Sequence, residues 1–174
     1  YEALAAHGYR EVGQEYLQNV LDTAKQLDAY DSGRIYYYLG EYQKAYLALD
    51  EARDKGGADS YLYLGRAYAA TGDYNYASSV YNNYLSKLGP NAEIYNELGL
   101  CEMAKKEYQN ALAAFQAGKQ IEGNSLMQTL CFNEIVAYEY LEDYQQAEVL
   151  MNAYLQNYPD DQTAIREQQF LSTR

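Results

Sequence analysis

The chain has no tryptophan, one histidine, two prolines and two cysteines in 174 residues. Each shortage removes a class of function. With His7 alone and placed near the start, neither a histidine-dependent triad nor a histidine-rich metal site can be assembled. Cys101 and Cys131 lack metal or redox spacing, and read as buried thiols with a bridge or a reactive thiol as the alternatives. No Gly-rich phosphate loop occurs, and carboxylate pairs such as Glu93 and Glu97 would hold a hard cation only if further oxygens converged on them. No enzyme activity, cofactor or metal is therefore expected. No apolar run reaches the roughly 20 residues that cross a bilayer, so direct membrane insertion is not expected either. Basic residues are also scarce, 13 against 25 acidic, and they are scattered. A net charge of −12 with no basic cluster argues against nucleic acid, which is gripped through phosphate neutralisation. The chain starts at Tyr1 without Met, as if trimmed, and this points to a bacterial extracytoplasmic protein, with the cytoplasm as the alternative.

What the chain does have is tyrosine, 23 copies beside three phenylalanines, and a repeat. Tyr61, Leu64, Gly65, Tyr74, Ala77 and Tyr81 recur 34 residues on as Tyr95, Leu98, Gly99, Tyr108, Ala111 and Phe115. Related blocks lie on both sides, at Gly33, Tyr36, Tyr42 and Ala45 and at Tyr144, Ala147 and Met151. A fixed period of this size marks stacked units, each too small to bury its own apolar face. Within a unit the pattern predicts two helices. Residues 58–71 and 74–87 carry apolar side chains at helical spacing, with Gly72 as a left-handed stop and Asp73 as an N-cap acceptor between them. The corresponding turns are Gly40-Glu41, Lys106-Glu107 and Glu142-Asp143, the last with Gln146 in a capping box. Both prolines, Pro90 and Pro159, follow second helices, where no backbone donor is needed.

The units fall at 26–57, 58–91, 92–127 and 128–159, within one domain covering 1–174. A partial unit occupies 1–25, with Gly8 at its turn, and a polar capping helix occupies 160–174.

These residues resemble the tetratricopeptide repeat family, whose pattern is W-x-x-L-G-x-x-Y, then A-x-x-x-F, then P. Tyr61-x-x-Leu64-Gly65-x-x-Tyr68 with Ala77-x-x-x-Tyr81 follows it, and Tyr95, Leu98, Gly99, Ala111 and Phe115 follow it again with Glu102 in place of the second aromatic. The first unit has Leu49 for the Phe; the fourth has Cys131 for the opening aromatic and Ile135 for the Gly. The resemblance implies an all-α, right-handed superhelical solenoid of antiparallel helix hairpins, about four units in all, with the partial unit before them and the cap after. It also implies a concave face lined by the first helix of each unit, on which such proteins hold a peptide segment or helix of a partner.

On that face the candidates are Tyr30, Arg34, Tyr37 and Tyr38, then Leu62 and Arg66, then Asn96, Leu100 and Met103, then Phe132, Val136 and Tyr140. Two arginines, an amide and several apolar side chains suit an extended peptide or a partner helix. Blander readings stand beside this one. Arg34 and Arg66 can pair with Asp31 or Asp59, Tyr37, Tyr38 and Tyr140 can pack on neighbouring helices, and Asn96 can face water. One subgroup of the family binds acidic chaperone tails through a Lys, Asn and Arg clamp. The matching places here hold Tyr30, Arg34, Tyr63, Glu93 and Glu97, a departure that favours a neutral, basic or amphipathic partner. The alternative function is a structural subunit that self-associates, as a homodimer for instance, through exposed tyrosines such as Tyr46, Tyr76, Tyr154 and Tyr158.

Overall fold

The computed structural model describes residues 1–24 and 26–174; Lys25, the last residue of the expected partial unit, lies outside the described residues. The described residues form eleven α-helices and no strand. In chain order they are α1 (Glu2–Ala6), α2 (Arg10–Thr23), α3 (Ala29–Leu39), α4 (Tyr42–Asp54), α5 (Ser60–Ala70), α6 (Tyr74–Leu88), α7 (Ala92–Ala104), α8 (Tyr108–Lys119), α9 (Met127–Tyr140), α10 (Tyr144–Asn157) and α11 (Gln162–Leu171). The all-α class and the hairpin construction expected from the repeat are what the structure shows. The chain divides into two compact units, Tyr1–Val80 and Tyr81–Arg174, with the division inside α6.

The turns explain why the helices stop where they do. At the end of α3, the Gly40 N–H donates to Tyr37 O at 3.0 Å and the Glu41 N–H to Tyr36 O at 2.9 Å, a pattern that requires a left-handed residue. Gly40 supplies it with φ +78°. The same pair of bonds closes α5 (Gly72 to Ala69, Asp73 to Tyr68), α7 (Lys106 to Met103, Glu107 to Glu102) and α9 (Glu142 to Glu139, Asp143 to Tyr138). In the last two, non-glycine residues hold the left-handed conformation, Lys106 at φ 64° and Glu142 at φ 60°. The following helix is then capped by the next side chain in two cases: Asp73 accepts from Tyr76 N at 3.1 Å, and Asp143 from Gln146 N at 3.1 Å.

In the N-terminal unit the core is set by close approach. A Cβ placed on Gly33 would lie 2.5 Å from Leu49 Cγ, so α3 and α4 touch through a position that tolerates only hydrogen. Leu49 and Ala45 are fully buried there, as is Leu64 on α5. Between α4 and α5 the rings of Tyr46 and Tyr68 stack at 4.2 Å, nearly parallel, and Tyr76 adds a third ring 4.3 Å from Tyr68.

The C-terminal unit repeats the device with a ring. A Cβ on Gly99 would lie 2.3 Å from Phe115 Cε1, so the fully buried Phe115 fits α8 to α7 by occupying the space a side chain would take. Further along, Gly118 meets Leu130 on α9, and Ile135, Ala147 and Met151 form the core shared by α9 and α10. Asp161 opens α11 by accepting from Thr163 N and Ala164 N. Ala164 and Leu171 then seal that core, while Gln162, Thr163, Arg166 and Gln169 line the outer side of the helix, all of them exposed. A terminal helix with one apolar stripe and one wet face is how a stack of repeats ends in water.

Candidate functional site

In the N-terminal unit the candidate side chains of α3 converge on one residue of α5, Tyr63. The Arg34 guanidinium lies 5.3 Å from the Tyr30 ring centroid and 4.9 Å from that of Tyr63, and Arg66 approaches the same Tyr63 ring at 5.6 Å. Tyr37 and Tyr38 close the cluster, their rings 5.7 and 5.8 Å from Tyr63. The phenols form a chain. Tyr38 donates to the Glu2 carboxylate, which leaves its oxygen to accept from the Tyr63 hydroxyl at 3.0 Å. Burial, then the bonds to Glu2 and Tyr63, pushes Tyr38 far above the ordinary phenol range, so it stays protonated and a donor. Burial also raises Tyr30. For Arg34 burial opposes the charge, but the oxygens of Tyr63 and Tyr30 outweigh it and raise the group.

Arg34 is thus a cation laid over rings, with its Nε buried and making no hydrogen bond, rather than a partner of Asp31 or Asp59. Leu62 is half-buried. Tyr63 is not among the contact candidates of the exposed stripe, although it holds one of the places that match the family's clamp. Its signal lay one step away: it follows Leu62, on the shoulder of the same exposed stripe.

In the C-terminal unit the corresponding faces of α7 and α9 use amides. Asn96 is only 8% exposed, and its Oδ1 accepts from Asn133 Nδ2 at 2.9 Å. Asn133, absent from the expected set, occupies the register position of Tyr63. Met103 and Val136 are half-buried and Leu100 is exposed. Phe132 packs edge-on to Tyr154 at 5.7 Å. Tyr140, 57% exposed, stacks on Tyr108 at 5.0 Å, so it combines a packing contact with a free face.

Glu102, which departs from the repeat pattern, is buried and paired with Lys105 at 2.7 Å. Glu134 is likewise buried, bound by Lys119 and, at 2.9 Å, by Gln116 Nε2. Burial and then Glu167 push Glu139 up to about 7. The two cysteines are free thiols; burial pushes Cys101 up to about 12, and it raises Cys131 despite the nearby Lys119 ammonium. Among the described residues no cluster of three metal-capable side chains occurs, and no helix is long and apolar enough to cross a membrane.

The tyrosines expected to be exposed divide differently. Tyr154 is buried, donating to Asp161 Oδ2 at 2.6 Å, and it cannot serve as a surface ring. The acceptor that draws it inward is the N-cap of α11, and the earlier repeat has the same contact, the α7 N-cap Asn91 donating its Nδ2–H to the Tyr84 hydroxyl at 3.5 Å. Tyr158 is half-buried with its ring 4.8 Å from Tyr154, and Tyr46 is engaged with Tyr68 and with Thr71 Oγ1 at 2.8 Å. Of the four only Tyr76 remains largely exposed.

Comparison with known proteins agrees with this construction. No curated protein matches the chain. Among solved structures it is similar to TTC0263, a thermophilic TPR protein of Thermus thermophilus, with TM-score 0.74 and 16% identity over 99% of this chain and 95% of that one. MamA from Desulfovibrio magneticus RS-1 matches with TM-score 0.68 and 16% identity, covering 92% of each chain. The second TPR domain of human RPAP3, solved with the HSP70 peptide SGPTIEEVD, matches with TM-score 0.56 and 16% identity over 63% of this chain and 90% of that one. The tetratricopeptide repeat profile matches residues 30–85 and 72–124, more than half of the sequence, and with the paired helices, the glycine contacts and the recurring turns it shows that the chain belongs to the tetratricopeptide repeat family.

Proposed function

We propose that this chain is a non-enzymatic protein-interaction module that holds a peptide segment or helix of a partner protein on its first-helix faces: α3 and α5 in the N-terminal unit, α7 and α9 in the C-terminal unit. The repeats at 26–57, 58–91, 92–127 and 128–159 supply those faces. The observation that carries the reading is the Asn96–Asn133 pair. Asn96 is buried and Asn133 half-buried on one face, and their single mutual bond leaves the Asn96 NH2 and the Asn133 carbonyl oxygen for a peptide backbone, which offers both complements.

The likeness to the peptide-bound RPAP3 domain supports the reading at the level of fold. The acidic balance of this chain favours a neutral, basic or amphipathic segment over an acidic one, and a protein partner over nucleic acid. Selection from a displayed peptide library gives the test. Asn96→Ala with Asn133→Ala weakens a selected peptide at least about tenfold, because a buried polar group that loses its partner costs roughly 1–3 kcal/mol. Arg34→Glu with Arg66→Glu gives the corresponding loss for segments held on the N-terminal unit. Undiminished binding by both double variants overturns the reading.

A second reading, self-association, has one observation in its favour. Tyr9, Val12 and Tyr16 form a stripe at the start of α2 that is 60, 53 and 65% exposed. Light scattering that finds only monomer at high protein concentration removes it.

A further inference from the structure

The C-terminal unit holds a cavity of about 280 Å³ whose walls come from α9, α10 and the start of α11: Gln128, Phe132, Asn133, Tyr154, Asp161 and Thr163, with Thr129 at its edge. Its volume lies at the lower end of the roughly 300–1,000 Å³ range of ligand pockets, room enough for one amino-acid side chain. Its chemistry is uneven. One wall is aromatic, with Phe132 edge-on to Tyr154, and the other is polar, with a single ionised group. Among the described residues no basic side chain lines it.

Asp161 is held firmly but is not neutralised. Its Oδ1 accepts the backbone N–H groups of Thr163 and Ala164 at 3.0 and 3.1 Å, and its Oδ2 accepts the Tyr154 hydroxyl at 2.6 Å and Gln128 Nε2 at 3.4 Å. Every one of these donors is uncharged. They hold the carboxyl below its ordinary range, the Tyr154 bond foremost, so that the cavity carries a full negative charge at neutral pH. An anionic occupant would be repelled by that charge, in a protein already at −12. An apolar occupant would cover a carboxylate without supplying a counter-charge, which is unfavourable. A cation satisfies both walls.

Resting on the reading of the first-helix faces as binding surfaces, we infer that this cavity receives a basic side chain, lysine or arginine, of the partner segment. The aliphatic stem lies on the Phe132 and Tyr154 rings, and the head group meets the hydroxyl of Thr163 and Asp161 Oδ2, where it displaces the long Gln128 bond. The cavity thereby sets a residue preference that the backbone-reading amides cannot.

The test titrates the isotope-labelled protein with acetyl-Gly-Lys-Gly-amide, acetyl-Gly-Leu-Gly-amide and acetyl-Gly-Glu-Gly-amide while amide signals are followed by NMR. The lysine peptide is expected to shift Thr129, Phe132, Asn133 and Thr163 saturably, and the other two are not. Asp161→Asn keeps a capping residue on α11 and is expected to weaken the lysine peptide about fivefold, the worth of one partly exposed ion pair. Phe132→Leu retains an apolar side chain without the ring and lowers affinity again, which keeps the inference open to test if the Asp161 variant fails to fold. Equal shifts with the leucine or glutamate peptide, or undiminished lysine binding by a folded Asp161→Asn protein or by Phe132→Leu, overturn it. Failure of the wider reading looks different. The lysine peptide would still bind in this cavity, while no selected partner segment responds to the Asn96 and Asn133 changes.

Discussion

In the N-terminal unit the face of α3 and α5 is tied together by rings and phenol hydroxyls around Arg34, whereas the same face of α7 and α9 in the C-terminal unit is tied by an amide pair with carboxylates nearby. Beneath those faces the two units agree. Gly33 meets Leu49 and Gly99 meets Phe115 at equivalent points of the repeat, and the turns after α3 and α7 have the same hydrogen bonds. Helix-to-helix packing admits few solutions at a given spacing, so the inner column is held nearly constant. The outer column is answerable only to solvent and partner, and there the units diverge from tyrosine and arginine to asparagine and acid.

The sharpest way to break that comparison is to remove the inner column. Phe115→Ala is expected to cost about 3–5 kcal/mol and Leu49→Ala about 2–5 kcal/mol, since both side chains are fully buried and each seats a helix pair. Urea denaturation gives the size of each loss, and hydrogen exchange locates it in α7 and α8 for the first and in α3 and α4 for the second. If Phe115→Ala leaves the midpoint unchanged, the ring is not what joins its hairpin. Adding bulk from the other side is milder. Gly99→Ala and Gly33→Ala are expected to cost about 1–3 kcal/mol, with Gly99→Ala the larger, because three atoms of the Phe115 ring lie within 2.7 Å of the added carbon and a ring cannot flex as a leucine does.

The third expectation separates the units by pH. Glu139 is raised to about 7 from an ordinary 4.5, by burial first and by Glu167 second. A raised carboxyl contributes stability that is complete below the unfolded value and is lost as pH climbs through the folded one. The C-terminal unit is therefore expected to lose about 1–2 kcal/mol between pH 4.5 and 7.5, a figure reduced for the partial exposure of the group. Asp161 is lowered, chiefly by the Tyr154 bond, and works oppositely: its contribution is present above its ordinary value of 3.8 and is lost as acid protonates it. Glu139→Gln should flatten the loss toward neutral pH in α9 and α11 without altering exchange in α3 and α4. A slope that survives Glu139→Gln assigns the effect elsewhere.

The fold was legible because packing leaves a periodic trace: glycines, alanines and rings at fixed spacing, glycine or its substitute at each turn, and proline after second helices. The candidate faces were legible only in part. Arg34, Asn96 and Phe132 could be placed by register, but Tyr63 and Asn133, which meet Arg34 and Asn96, sit one step off the stripe and acquire their roles only when two helices are brought together. Tyr154 shows the same limit from the other side. It stands where Tyr84 stands in the earlier repeat, and the carboxylate that draws it inward is the N-cap of the following helix, as the N-cap Asn91 meets Tyr84; that link between successive units is carried by a capping residue and leaves no trace in the hydrophobic spacing.

The smallest expected effect concerns the turns. After α3 the left-handed position is held by Gly40, after α7 by Lys106, with the same two hydrogen bonds in each. A side chain in that conformation costs roughly 1–2 kcal/mol, because Cβ crowds the carbonyl oxygen that follows. Glycine removes the crowding but gives the unfolded chain more freedom to lose, worth about 0.5–1 kcal/mol in the other direction. The balance favours glycine, so Lys106→Gly is expected to stabilise the C-terminal unit by about 0.5–1 kcal/mol and Gly40→Lys to destabilise the N-terminal unit by a similar amount. For a chain of this length the first corresponds to a rise of about 1–4 °C in melting midpoint. A fall with Lys106→Gly would mean that the Lys106 side chain contributes more to the α7–α8 turn than its backbone strain removes, and the two turns would then be alike in geometry but not in what sustains them.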